Sequence, residues 1–319
     1  MGRSVTSPVL HVIQGLVPPA KLLHVHLLVD EDEWLWIDTG ISSTPHDFLV
    51  PYVEALDAPV PPRQSALITH TDVDHFGGVT QLRARFPTLQ ALAHPEDARL
   101  IQDRAALMRE RYLVHADAGI VPDQSRQDQL QARGGPAPVI DRQVDGGMRL
   151  GSSLEVLHLP GHSAGHLGAW DPERGRAFVG DAVLDWGLRD TSGVLTTAPP
   201  YYDVDAYLRS IALLLDRAPD ELHTSHFPVL RGAEVSAFLV RSRACVEAIE
   251  ESTVRALRRA RSGATLEQLC SSVAEDLRCW PKGTELQLAD AVSAHLERAI
   301  EEGSAHRISG QTIPRYAAA

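Results

Sequence analysis

Hydrophobic positions along the first forty residues come in short runs: Val9 to Ile13, His24 to Val29 and Trp34 to Ile37. The acidic turn Asp30-Glu-Asp-Glu33 separates the last two. Runs of that length bounded by polar turns predict strands, here an antiparallel start. At Pro45 the spacing becomes helical over Asp47 to Leu56. An apolar strand Ala66 to Thr69 follows, then a polar loop and a helix over about Gly78 to Phe86. Glu96 to about His115 reads as helix, and Asp123 to Ala132 as a polar helix before Gly134-Gly-Pro136, so 96–133 is expected to be an insertion lying over the sheet. Strand patterns return at Val139-Ile140, Leu154 to Leu159, Gly168 to Trp170 and Ala177 to Val179. A helix Val204 to Arg217 and a strand Glu221 to Thr224 complete this part. Strand, polar loop and helix in that order describe an α/β protein whose loops carry function.

After Gly232 the pattern is helical: Glu234 to Arg261, Thr265 to Arg278 with Thr265 as N-cap, and Glu285 to Glu302 ending at Gly303. A small hairpin over Ala305 to Ile313 would give this part a winged-helix outline. The chain is therefore expected to divide into a domain of residues 1–230 and a helical, winged-helix-like domain of residues 231–319. Residues 231–319 hold 12 Lys or Arg and 12 Asp or Glu, so the net charge of −12 belongs to the first 230 residues. No basic face accompanies the outline, which favours a packing or homodimer-forming appendage over a DNA reader. Arg255, Arg258, Arg259 and Arg261 sit at a helix C-terminus, where cations offset the helix dipole.

Composition narrows the chemistry. At 44% hydrophobic, 23% charged and a mean hydropathy of −0.13, the 319 residues make a globular protein. The acidic balance argues against nucleic-acid and anionic-membrane partners, which need excess Lys and Arg. Three Cys, all after residue 240, exclude a disulfide scaffold and a cysteine-rich zinc site. Any metal site must then be built from the 15 His and the carboxylates. No basic-then-apolar leader opens the sequence and no run of 18 apolar residues follows, so the expected location is cytoplasmic.

The most informative segment is Ile68-Thr-His-Thr-Asp-Val-Asp-His-Phe-Gly-Gly78. It places His70, Asp72, Asp74 and His75 within six residues at the end of an apolar strand. Two imidazoles and two carboxylates in that spacing suit a divalent cation. Four more strand ends carry similar groups: Asp38 in Trp34-Leu-Trp-Ile-Asp-Thr-Gly40, His162 and His166 in Pro160-Gly-His-Ser-Ala-Gly-His166, Asp181 in Phe178-Val-Gly-Asp181, and His226 in His223-Thr-Ser-His226.

The order Asp-Thr-Gly, Thr-His-x-Asp-x-Asp-His-x-Gly-Gly, Pro-Gly-His-Ser, Gly-Asp and Ser-His resembles the metallo-β-lactamase-fold hydrolases over about residues 8–230. The C-terminal helices resemble, more weakly, the extension of lactamase-like thioesterases and endoribonucleases. The resemblance implies an αββα four-layer sandwich with two divalent metal ions, Zn or Fe/Mn, at one sheet edge. It implies that His70 and His162 hold one metal, that Asp74, His75 and His226 hold the other, and that Asp181 bridges them. Asp38 would orient ligands by hydrogen bonds. His166 would be structural, with substrate contact as the alternative.

One position departs from the pattern. Asp72 stands where that family carries a second histidine. It would ligate directly, bind through water, or leave the first position without a metal; the flavodiiron branch of the same fold carries a carboxylate here. Direct ligation would make the site richer in oxygen and tilt it toward iron or manganese. With Asp74 and Asp72 as catalytic groups, the expected function is metal-dependent hydrolysis of an ester, thioester or lactone by an activated water. The alternative is an oxidoreductase with a carboxylate-rich di-iron centre, and the acidic first part speaks against a nuclease. The partner would be a small molecule. Met108, Arg109 and Tyr112 of the insertion could cover the site, and Trp186, Tyr201 and Tyr202, with Phe227, are candidate substrate contacts by their nearness to ligand-bearing loops.

Overall fold

The computed structural model describes residues 8–319 apart from 19, 57 and 152. The opening heptapeptide, which bears on the expected absence of a leader, lies outside the described residues. Among the described residues no helix is long and apolar enough to cross a membrane.

Six strands form the first sheet in sequence order: β1 Val9–Val17, β2 Lys21–Val29, β3 Glu33–Ile37, β4 Arg63–Leu67, β5 Leu89–Ala93 and β6 Arg142–Gln143. β1 to β3 pair antiparallel, and β3 to β6 run parallel. The chain continues through β7 Arg149–Leu150, β8 Leu154–His158, β9 Leu167–Asp171 and β10 Arg176–Gly180. A hairpin of β11 Leu188–Arg189 and β12 Leu195–Thr197 precedes β13 Glu221–Thr224 and β14 Leu230–Arg231. The second sheet runs β14-β13-β10-β9-β8-β7, with β10 and β13 its parallel pair. Parallel neighbours finish at the same edge, so the ends of β3 and β4 in one sheet and of β10 and β13 in the other can deliver side chains to one place.

Period-2 alternation explains the layering. In β3, Leu35 and Ile37 face inward to meet Val156, Leu167, Ala169 and Phe178 of the second sheet. Trp34 and Trp36 face outward, against a helical layer that includes Phe76, Leu82 and Phe86. The second sheet's outer face packs on the Val204–Arg217 helix. The result is the four-layer αββα sandwich expected from the sequence.

The strand Leu89–Ala93 is not among those the sequence pattern predicts. Leu-Gln-Ala-Leu-Ala has weak β propensity, and its place between two parallel strands overrides that preference. The strand expected at Val139-Ile140 forms slightly later, at β6. The 96–133 segment is broken into Pro95–Gln102, Arg104–Leu107, a single π-helical turn Met108–Tyr112, and Gln124–Gly134. Asp103 causes the first break: its carboxylate accepts from Ala105 N and Ala106 N and caps the second piece.

The C-terminal helices Ala233–Arg259, Leu266–Leu277 and Ala289–Glu301 carry a three-stranded sheet of β15 Ala264–Thr265, β16 Ala305–Ile308 and β17 Arg315–Ala318. The hairpin thus reaches further than Ile313. Thr265 and Gln268 close a reciprocal capping box. One continuous apolar cluster joins Leu159, Tyr201, Tyr207 and Ile211 of the sandwich to Phe238, Ile249, Val292 and Leu296 of these helices.

His295 sits in that junction, 4% exposed, with Nε2 3.0 Å from Tyr201 Oη. Burial pushes its pKa down to about 3, whereas in the unfolded chain it titrates near 6.5. The unfolded state therefore binds more protons between about pH 6.5 and 3, and stability is lost as pH falls through that window. At about pH 5 the loss amounts to about 2 kcal/mol. We expect the His295→Gln variant to lose about that much less stability than wild type between about pH 7.5 and 5, measured by urea denaturation. Identical losses would refute the assignment.

Candidate metal centre

Asp38 follows β3 with φ 63°, a left-handed conformation that a short polar side chain tolerates. This turns its carboxylate toward the end of β4. Oδ1 accepts from Thr69 N at 2.8 Å, and Oδ2 accepts from Thr69 Oγ1 at 2.9 Å and His75 Nδ1 at 2.8 Å. Gly78 is required because a Cβ there would lie 2.2 Å from the Thr39 carbonyl oxygen. The close approach seats the short helix Val73–Phe76, which holds Asp74 and His75, against the end of β3.

Four imidazoles at this edge have their Nδ1 tied to a partner, which assigns the hydrogens. His75 Nδ1 donates to Asp38. His226 Nδ1 donates to the Leu22 carbonyl at 2.7 Å, and His162 Nδ1 to the Pro200 carbonyl at 2.8 Å. Thr69 Oγ1, already donating to Asp38, accepts from His70 Nδ1 at 3.0 Å. All four Nε2 atoms therefore face inward, where their lone pairs are available to a cation that displaces any proton they carry. Those of His70, His75 and His226, and Oδ1 of Asp181, are buried without any hydrogen-bond partner. Buried polar atoms in proteins are otherwise satisfied, so imidazole nitrogens and a carboxylate left unpartnered together are a donor set that could hold a metal ion. Potential ligand atoms of Asp74, His75 and His226, and likewise of His70, His75 and Asp181, lie within 4.8 Å of one another.

The charges agree. Burial works against a protonated His75, yet the Asp38 and Asp181 carboxylates outweigh it and hold its pKa well above the ordinary value. Burial would raise the Asp181 carboxyl, but His226 and His75 bring it well below the usual carboxylate range. The cluster stabilises positive charge, which a cation can supply. His166 lies behind it: Nε2 accepts from Asp181 N at 3.2 Å and the ring stacks on His70 at 4.7 Å. Burial, with His70 and His162 adding to it, keeps His166 neutral, in keeping with a supporting rather than a ligating place.

Asp72, which the sequence puts among the ligands and the catalytic groups, does come together with His70 and His162, their potential ligand atoms within 4.8 Å of one another. Both its oxygens are also held by Arg111, a residue the sequence reading passes over. Arg111 Nε donates to Oδ1 at 2.6 Å and Nη2 to Oδ2 at 2.7 Å. Burial would raise the Asp72 carboxyl, and the guanidinium more than reverses it, to well below the usual range. Arg111 lies on the π-helical turn, flanked by Arg109, which is exposed and paired with Glu110, and by Tyr112, whose Oη accepts from Val73 N at 3.0 Å. An α-helical phase through 96–115 does not single out Arg111. The one signal in the sequence is the carboxylate at 72, which calls for a cation.

Asp97 is a second residue that sequence reasoning does not single out. Its carboxylate accepts from Ser163 Oγ at 2.6 Å and Gly165 N at 2.8 Å, fixing the loop that presents His162.

A cavity of about 550 Å³ opens over the site. It is lined by Asp74, Asp181, His162, His226 and Arg111, by the cations Lys21, Arg126 and Arg133, which act on one another, and by apolar Val17, Leu130 and Leu188. Tyr202 lines it too, its ring 4.5 Å from the Arg111 guanidinium carbon. Tyr201 does not: it is fully buried, stacked on Tyr207 and turned to His295. Trp186 packs beside Trp280, and its carbonyl accepts from Trp280 Nε1 at 2.9 Å. Both serve the junction with the C-terminal helices, because the apolar demand of that contact outweighs their nearness in sequence to the ligand loops.

Comparison with known proteins identifies the family and the fold. The YobT protein of Bacillus subtilis (strain 168) is 26% identical over 66% of this chain and 84% of its own. Hydroxyacylglutathione hydrolase GloC of Haemophilus influenzae is 28% identical over 51% of this chain, and an atrochrysone carboxyl ACP thioesterase of Aspergillus chevalieri 25% over 66%. The alignments span 66% and 54% of those two proteins' lengths. A metallo-beta-lactamase family protein of Thermus thermophilus superposes over 97% of this chain and 98% of its own, with TM-score 0.74 at 21% identity. A beta-lactamase domain protein of Burkholderia ambifaria superposes over 97% and 92%, with TM-score 0.71 at 22% identity. These likenesses extend the shared fold through the C-terminal helices. With the pattern of the metallo-beta-lactamase superfamily matching residues 24–226, this chain belongs to that superfamily.

Proposed function

We propose that this chain is a metal-dependent hydrolase of esters, thioesters or lactones, acting on small molecules that carry a negative charge. The observation that carries the reading is the set of buried, unpartnered His75 Nε2, His226 Nε2 and Asp181 Oδ1 atoms, of which His226 and Asp181 belong to residues that line an open cavity. His75, His226, Asp181 and Asp74 would hold a divalent ion there. Such an ion acts as a Lewis acid toward a carbonyl and lowers the pKa of water beside it. Two superfamily relatives are named as a hydrolase and a thioesterase, which supports the same class.

The remaining steps fall to the chain's own groups. Asp74 is the more open carboxylate, its Oδ2 3.6 Å from His226 Nε2, and it is placed to orient the attacking water and take its proton. Tyr202 and the apolar patches exclude bulk water from one side. Lys21, Arg126 and Arg133 give an anionic substituent somewhere to bind. These cations sit in one field: burial lowers the Lys21 ammonium's pKa, Asp74 works against that, and Arg126 reinforces it. The oxygen-rich di-iron reading draws on Asp72 as a ligand, and here both Asp72 oxygens face Arg111.

A panel of thioesters, oxygen esters and lactones, assayed with Zn, Mn or Fe and after chelation, tests this reading. Turnover should appear with metal and vanish with chelator, and an inert panel under all metals would refute it. Asp181→Ala should lose both the metal and at least about 10²-fold in turnover. Asp38→Asn presents an amide that can donate to His75 Nδ1 and reverse the tautomer. Metal affinity should then fall by about 10- to 100-fold in a competition titration. Lys21→Met should raise KM for anionic substrates about tenfold, about 1.4 kcal/mol, and leave neutral analogues unchanged.

A further inference from the structure

We propose that this chain binds one metal ion, not two, because the Arg111 guanidinium occupies the position that His70, Asp72 and His162 would otherwise offer to a second. Potential ligand atoms of these three residues lie within 4.8 Å of one another. Two of the three are already engaged. Arg111 Nη2 spends one hydrogen on Asp72 Oδ2 at 2.7 Å and faces His162 Nε2 at 3.0 Å with the other. That nitrogen is free to accept, since His162 Nδ1 gives its hydrogen to Pro200. Arg111 Nε takes the second Asp72 oxygen. Of the three, His70 alone keeps its Nε2 without a hydrogen-bond partner, and it lies within reach of the His75 and Asp181 group instead.

Charge leads to the same conclusion. A divalent ion among these three side chains would meet a buried guanidinium that does not deprotonate, at a few ångströms and in a medium that screens poorly. Arg111 is also hard to displace. It is 6% exposed, Nη1 donates to the His162 carbonyl at 2.8 Å, and the Tyr202 ring covers its face. Asp72 and Arg111 thus form a neutral pair that replaces a metal and its anionic ligand. Among the described residues no guanidinium pairs with the Asp74 and Asp181 carboxylates, whose ion-pair partners are His75 and His226, so this group is left to hold the one ion.

The test counts metals and needs no turnover, so it separates this inference from the proposed hydrolysis. A two-metal hydrolase would overturn only the present inference, and a one-metal protein without hydrolysis only the other. The full chain is saturated with Mn(II), Zn(II) or Co(II), freed of excess by gel filtration and analysed by plasma mass spectrometry. We expect one metal per chain, a Co(II) titration that breaks at one equivalent, and the six-line Mn(II) resonance of an isolated ion. Two tightly held ions, or an exchange-coupled Mn(II) spectrum, would overturn the proposal. Arg111→Ala should raise the count to two; a folded variant that still binds one would show that Arg111 is not what excludes the second. Should that variant fail to fold, Asp72→His combined with Arg111→Met removes both charges and adds an imidazole. It should bind two, and a folded double variant limited to one counts against the proposal equally.

Discussion

The Asp38 carboxylate is the interaction on which the rest of the site depends. It sits at the end of one strand, in a backbone conformation costly for most residues, and takes three hydrogen bonds from the end of the next strand and the helix beyond it. Those bonds decide which nitrogen of His75 carries the hydrogen and, through Thr69, which nitrogen of His70 does. Both lone pairs are thereby set on the inner side. The second sheet repeats the principle with backbone carbonyls, which tie down His162 and His226. The orientation of the candidate ligands thus follows from hydrogen bonds made on the far side of each ring.

The 95–134 insertion does more than cover the site. Its broken helices bring a single π-helical turn over the His70 loop, and that turn lowers Arg111 and Tyr112 onto Asp72. The buried Arg111 guanidinium and the partly exposed Asp72 carboxylate satisfy one another with good geometry, and removing Asp72 would strand a buried guanidinium. The pair therefore couples the order of the insertion to the order of the metal-ligand loop. Asp97, in the same insertion, fixes the His162 loop from its other side. The candidate site is thus tied to a segment outside the two sheets.

The C-terminal helices are tied in differently, by apolar burial. Their faces complete the cluster that begins under the second sheet, and Tyr201, Tyr207, Trp186 and His295 belong to that seam. Tyr202, one residue from Tyr201, points the other way into the cavity. Adjacent residues in an extended stretch diverge, so one tyrosine serves the junction and the next serves the site.

Most of the architecture could be read from the chain itself. Apolar runs of strand length, helical spacing elsewhere and polar residues at strand ends determined an α/β chain, the C-terminal helices and the candidate groups His70, Asp74, His75, His162, Asp181 and His226, while the four layers were implied by the resemblance those strand-end motifs carry. Such features are local, and a period of about 2 or 3.6 survives in any context. The strand Leu89–Ala93 escaped because its residues favour helix and its two parallel neighbours make it a strand. Arg111 escaped because a π-helical turn shifts the phase of everything after it, and because the partner that gives it meaning is 39 residues away. Which carboxylate meets a lone pair and which meets a guanidinium depends on distances between side chains brought together by folding, and that only the tertiary structure decided.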